Sequence, residues 1–133
     1  MTLKWVKSNC NEFYGTDGIH GYGFGQDEDQ GQLGAWYVIS SMGLFDVKGF
    51  TDIHPQVGLG NPLFDKIKIK GNKTYYSGKD FEIEVKDNSP INIYVQSYTL
   101  NGKVLNEPFI QLKDIQQGGK LIVQMGPNPK DNY

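Results

Sequence analysis

Asp27, Glu28 and Asp29 stand together in GQDEDQGQLGAWYVISSMG, directly before a run of apolar residues. Asp27 and Asp29 are two apart, so in extended backbone both carboxylates leave the chain on one side while Glu28 points to the other. One ligand can be faced by both. Asp29 followed by Gln32 has the spacing of N-cap and N3 in a reciprocal capping box, and Gly43 stands where a helix stop is expected. The spacing predicts a helix near residues 30–42. Free N–H groups and the positive end of a helix dipole favour the ionised form of carboxylates placed there, which suits a base better than an acid. The plain alternatives are N-capping by Asp29, worth about 1 kcal/mol, and a solvated loop charge for Asp27. Glu28 is read as structural.

The elements around this motif follow from hydrophobic spacing. Leu3, Val6, Cys10, Phe13 and Tyr14 recur at three- and four-residue steps, the pattern of an amphipathic helix over residues 3–14. Gly15 ends it, and GTDGIHGYGFG is too permissive in backbone for regular structure, so it reads as a loop. The helix after the acidic motif carries Leu33, Ala35, Trp36, Tyr37, Val38, Ile39 and Met42, apolar on nearly every face, as expected of an element covered on several sides. An exposed apolar patch is expected near Trp36, with Trp36 itself in the core.

Beyond Gly49 the chain changes to short β-branched and aromatic runs, read as strands at 64–70, 75–76, 81–85, 91–100 and 121–125. Asn101-Gly102 is a strong two-residue hairpin signal. Alternation in Phe81-Glu-Ile-Glu-Val85 puts one sheet face toward a core and leaves the other wet. The expected fold class is α+β, one domain in two layers: two N-terminal helices packed on an antiparallel β-sheet. Residues 1–49 form the helical part with the acidic loop, and 50–133 form the strands.

Composition sets the outer bounds. The chain has 133 residues, enough for one core, and a net charge of −2 without a basic run. That excludes the electrostatic footprint of a nucleic-acid binder. No apolar run reaches the roughly 18 residues needed to span a bilayer, and residues 1–10 hold no apolar segment of signal-peptide length. Cys10 is the single cysteine, which excludes an internal disulfide.

Three weaker motifs are set aside or left open. Asp27-x-Asp29-x-Gly31 starts like a calcium loop, but position 37, where the bidentate glutamate should follow, is Tyr. Gly21-x-Gly23-x-Gly25 lacks the preceding strand and following Lys-Ser/Thr of a phosphate cradle. His20 and His54 have no His or Cys at ligand spacing, and a lone histidine is usually packed or solvated; His20 lies nearer the acidic loop.

The run GYGFGQDEDQGQLGAWYVISSMGLFDV, followed by VGLGNPLFDKIKI, YVQSYTLNGK and GGKLIVQMGPNP, resembles the C-terminal part of family 92 glycoside hydrolases. The resemblance implies a fragment of a bacterial, calcium-dependent, inverting exo-α-mannosidase that hydrolyses terminal α-linked, chiefly α-1,2-linked, mannose. The family's D-E-D aspartates correspond to Asp27 and Asp29, which would activate the hydrolytic water. The family's general acid lies in sequence upstream of this chain. Inverting hydrolysis needs two carboxyl groups roughly 6.5–9.5 Å apart across the scissile bond. Two neighbours in one loop do not span that gap, so the isolated chain is expected to be inactive.

His20 and Tyr22 are the candidates for substrate contact, Tyr22 by stacking on a sugar face or, alternatively, by anchoring its loop. The partners implied are a mannose-containing glycan and the rest of the parent polypeptide. Calcium ligands are not assignable here. The family also implies a periplasmic or extracellular location. The competing reading is a noncatalytic carbohydrate-binding or structural accessory module.

Overall fold

The computed structural model describes residues 2–14, 32–46 and 48–130. Helix α1 (Thr2–Phe13) and helix α2 (Gln32–Ser41) pack against each other. Helix α2 ends where the spacing places its stop: Gly43 takes φ 71°, and its N–H donates to the Ser40 carbonyl at 2.9 Å. A side chain cannot replace that hydrogen, because a Cβ on Gly43 would come within 2.6 Å of the Pro62 ring.

Two sheets follow. Strands β1 (Leu44–Phe45), β2 (Gln56–Leu59) and β7 (Phe109–Gln111) form a small antiparallel sheet in the order β1-β2-β7. Strands β3 (Lys66–Ile69), β4 (Phe81–Lys86), β8 (Gly119–Gly126), β5 (Tyr94–Leu100) and β6 (Lys103–Val104) form a larger one in that order. Pairing in it is antiparallel except between β4 and β8, which run parallel from Phe81 opposite Gly119 to Lys86 opposite Gln124. The α+β class holds, with two sheets where one was expected.

The expected alternation in β4 is present: Phe81, Ile83 and Val85 are buried, and Glu82 and Glu84 lie on the outer face. There Lys68 pairs with Asp80 at 2.7 Å and Lys66 with Glu82 at 3.5 Å, while Lys120 pairs with Glu84 across β4 and β8. The dry face of the large sheet meets the small sheet. Phe81, Ile83, Tyr98, Leu121 and Val123 join Leu44, Val57, Leu59 and Ile110 in one core. Each large side chain removed from water there contributes about 1.5–3 kcal/mol.

Tyr98 is fully buried, and its hydroxyl lies 3.1 Å from the Leu59 carbonyl and 3.0 Å from that of Gly60, tying the sheets together. The expectation that the helices cover this face holds only for Ile39 and Met42 of the helical part, which pack against the core beside the sheets.

Two further differences have local causes. Residues 75–76 form no strand; they sit in a turn closed by Asn72, whose carbonyl accepts from Tyr76 N–H at 2.9 Å and whose side chain accepts from Thr74 N–H at 2.7 Å. A short helix α3 (Leu112–Gln117) follows β7, started by the Asp114 carboxylate accepting from Gln111 N–H at 2.9 Å. Leu112 and Ile115 hold it to the core.

Candidate functional site

Asp27 and Asp29, with His20 and Tyr22, lie outside the described residues. The described chain shows what stands at either side of their segment. Tyr14, the residue after α1, has its ring stacked on Tyr37 of α2, with centroids 4.9 Å apart and planes at 13°. The Trp36 ring lies 5.4 Å from Tyr14, tilted by 32°. The end of the first helix is therefore fastened by aromatic contacts to the helix that follows the acidic motif. Such pairs contribute about 0.5–1.5 kcal/mol beyond the area they bury.

Cavities open on the described surface. One, of about 670 Å³, lies between α1 and the turns at 61–65 and 88–93. Lys7 Nζ donates to Asn88 Oδ1 at 2.9 Å, and Asn88 Nδ2 donates to Asp65 Oδ1 at 2.9 Å, which gives a continuous polar chain along its wall. Partial burial pulls the Lys7 ammonium below its ordinary pKa, and the charge of Asp65 opposes that shift. Asn61, 3% exposed, reaches this wall and donates from Nδ2 to the Ile93 carbonyl at 2.9 Å. Its Oδ1 is buried with no hydrogen-bond partner among the described residues.

None of this was legible as a site. Lys7 reads as the wet side of an amphipathic helix, and Asn88 is 81 residues away in sequence. Among the described residues lining the cleft, Asp65 is the one carboxylate, so they build no acid–base pair there. The second cavity, about 540 Å³, is an apolar groove lined by Val6, Trp36, Leu44, Phe45, Pro108 and Phe109.

His54 is exposed, and its backbone N–H donates to Asp52 Oδ1 at 3.3 Å, in keeping with a solvated histidine. Among the described residues no three His, Cys, Asp or Glu side chains converge to hold a metal ion. The described residues therefore build no carboxylate cluster for calcium. Among them, too, no helix is long and apolar enough to cross a membrane. The described part is a frame: it holds the flanks of the acidic motif and supplies no acid–base constellation of its own.

Comparison with known proteins bears on the motif itself. The model of the glycosyl hydrolase family 92 catalytic domain matches residues 1–127. The chain is similar to the solved family GH92 inverting mannosidase BT2199 from Bacteroides thetaiotaomicron VPI-5482, at 29% identity and a TM-score of 0.78. It is similar also to the family GH92 α-mannosidase BT3965 from Bacteroides thetaiotaomicron, at 27% identity and a TM-score of 0.80. Each match covers 96% of this chain and 16% of the relative's. The family glycosyl hydrolase ccman5 matches at 28% identity and a TM-score of 0.68, over 80% of this chain and 13% of its own. No curated protein sequence matches. The chain thus spans about a sixth of the length of these solved relatives, and on the family match across residues 1–127 it belongs to glycosyl hydrolase family 92.

Proposed function

We propose that this chain is the C-terminal part of an inverting exo-α-mannosidase acting on terminal, chiefly α-1,2-linked, mannose. One observation carries the reading. The family match spans α1, the Asp27-Glu28-Asp29 motif, α2 and the strands, so the aspartates fall inside the matched catalytic domain.

In this mechanism Asp29, oriented with Asp27 toward one water, takes its proton as general base. The water oxygen bonds to the anomeric carbon while the glycosidic C–O bond breaks, and a carboxylic acid elsewhere in the parent protonates the leaving oxygen. His20 and Tyr22 contact the sugar. Calcium is assigned to the parent with ligands outside the described residues, and a periplasmic or extracellular site of action belongs to the same reading.

Proton NMR of the intact parent acting on an α-1,2-linked mannobioside tests it. The first-formed free mannose should be the β-anomer, which then equilibrates. First formation of the α-anomer, or no release of mannose, would overturn the proposal.

A further inference from the structure

The cleft between α1 and the turns at 61–65 and 88–93 holds about 670 Å³, within the roughly 300–1,000 Å³ of small-ligand sites. Its charge balances. Among the described residues lining it, Lys7 and Asp65 are the ionisable pair, and Asn88 joins them with one hydrogen bond to each. An anion would meet Asp65 and a cation would meet Lys7, so a neutral ligand is the kind that both tolerate.

The same wall keeps hydrogen-bonding capacity in hand. An ammonium carries three donors, and Lys7 uses one on Asn88 Oδ1 at 2.9 Å, which leaves two for a ligand oxygen. Asp65 accepts the Asn88 amide on Oδ1 at 2.9 Å, and its Oδ2 can accept from a ligand hydroxyl. Deeper in the wall, Asn61 is fixed by Nδ2 donating to the Ile93 carbonyl, while its buried Oδ1 has no donor among the described residues. A buried acceptor without a donor is unfavourable, and a hydroxyl reaching it directly or through one water removes that penalty.

Phe64, 52% exposed, lines the cleft together with Leu63, Pro90 and Ile93. Donors, acceptors and an exposed aromatic in one neutral cleft suit a ligand that has both a C–H face and a rim of hydroxyls. The C–H face packs on the ring, whose π-face is negative, and the rim exchanges hydrogen bonds with the polar wall. A pyranose is such a ligand. We infer that this cleft binds a neutral pyranose, held by Lys7, Asp65 and Asn61 against Phe64. The choice of mannose as that sugar rests on the mannosidase reading, whereas the neutral-sugar class rests on the cleft alone.

Photo-cross-linking in the intact parent tests this. Diazirine-bearing α-mannoside, α-glucoside and α-galactoside are each irradiated with the protein, and the labelled peptides are mapped by mass spectrometry. The mannoside should label residues 61–65 and 88–93, and excess methyl α-mannoside should displace it better than glucuronate or glucosamine, the anionic and cationic probes. Phe64→Ala should weaken that displacement roughly fivefold. Lys7→Met, which keeps the aliphatic stem and removes the donors, should weaken it too, so either variant decides if the other fails to fold. No label at the cleft from any of the three sugars overturns the inference, and a segment of the parent seated there would give that result. Label that free sugar does not displace, displacement unchanged in both variants, or tighter binding of the charged sugars overturns it equally. Cleft label from the glucoside or galactoside alone keeps the site and refutes mannose as its sugar. Label at residues 20–29 reports separately on the mannosidase reading: its absence, with the cleft still labelled, refutes that reading and leaves this one standing.

Discussion

The ring of Tyr14 lies face to face with that of Tyr37, 4.9 Å between centroids. This contact joins the residue that precedes the segment holding Asp27 and Asp29 to the helix that follows it. On the proposed function, Tyr14 would act as a positioning residue for that segment. In the intact parent, Tyr14→Ala should lower kcat about tenfold with KM little changed, and Tyr14→Phe, which keeps the stacked ring, should restore most of it. Equal loss in both variants, measured by steady-state mannose release, would contradict the role.

The Tyr98 hydroxyl bridges the large sheet to the carbonyls of Leu59, at the end of β2, and of Gly60 just after it. Tyr98→Phe keeps the packed ring and leaves those buried acceptors short of a donor, at a cost of about 1–3 kcal/mol. Denaturant unfolding should show a lower midpoint with an unchanged slope. A midpoint equal to that of the unsubstituted protein would mean the bridge contributes nothing net.

Gly43 combines a left-handed φ of 71° with a Cβ position 2.6 Å from the Pro62 ring. Left-handed backbone alone costs an alanine about 1–2 kcal/mol. Gly43→Ala should therefore destabilise by more than that, because Pro62 must also move. The same unfolding measurement checks it, and a loss below 1 kcal/mol would show that the turn relaxes freely.

Acid should weaken the outer face of the large sheet. The Lys68 ammonium, then the Gly71 N–H, hold Asp80 below its ordinary 3.8, and Lys120 holds Glu84 below its ordinary 4.5. Both carboxyls ionise more readily in the fold than in the open chain. Their stabilisation is complete above those ordinary values and fades as pH falls through the lower folded ones. The raised Lys68 and Lys120 act at the other end: their share is intact below 10.5 and is lost as pH rises past their folded values. Because all four groups are solvated, the effect is small and salt-screened. The fall in Tm below pH 4 should be shallower in an Asp80→Asn, Glu84→Gln variant; an identical slope would remove these pairs from the acid response.

Much of this fold could be read from local pattern. The alternation of Phe81, Ile83 and Val85 gave the face of β4, and Asn101-Gly102, both at positive φ, gave the β5–β6 hairpin with Leu100 opposite Lys103. Local pattern carries no information on what a chain meets later. The parallel pairing of β4 with β8 and the Lys7–Asn88 bond across 81 residues depend on the path of the whole chain. Helix α3, with only Leu112 and Ile115 on its buried side, is too short to show a period. Tyr75 and Tyr76 resemble strand residues in type, yet Asn72 offers their backbone a turn instead. At the candidate site, two-residue spacing beside a capping pattern marked Asp27 and Asp29, whereas the aromatic clasp at Tyr14 needed the three-dimensional packing of α1 on α2.

The proposed mechanism has Asp29, with Asp27, activating water in the intact parent enzyme. Asp27→Asn and Asp29→Asn, each made in the full-length parent and assayed for mannose release, test it most directly, with Tm measured alongside to confirm an intact fold. A general base supplies about 10²–10⁴ of rate, so kcat should fall at least a hundredfold in Asp29→Asn and substantially in Asp27→Asn, with Tm nearly unchanged. Turnover within a few-fold of the unsubstituted enzyme in both variants would rule out water activation by these aspartates.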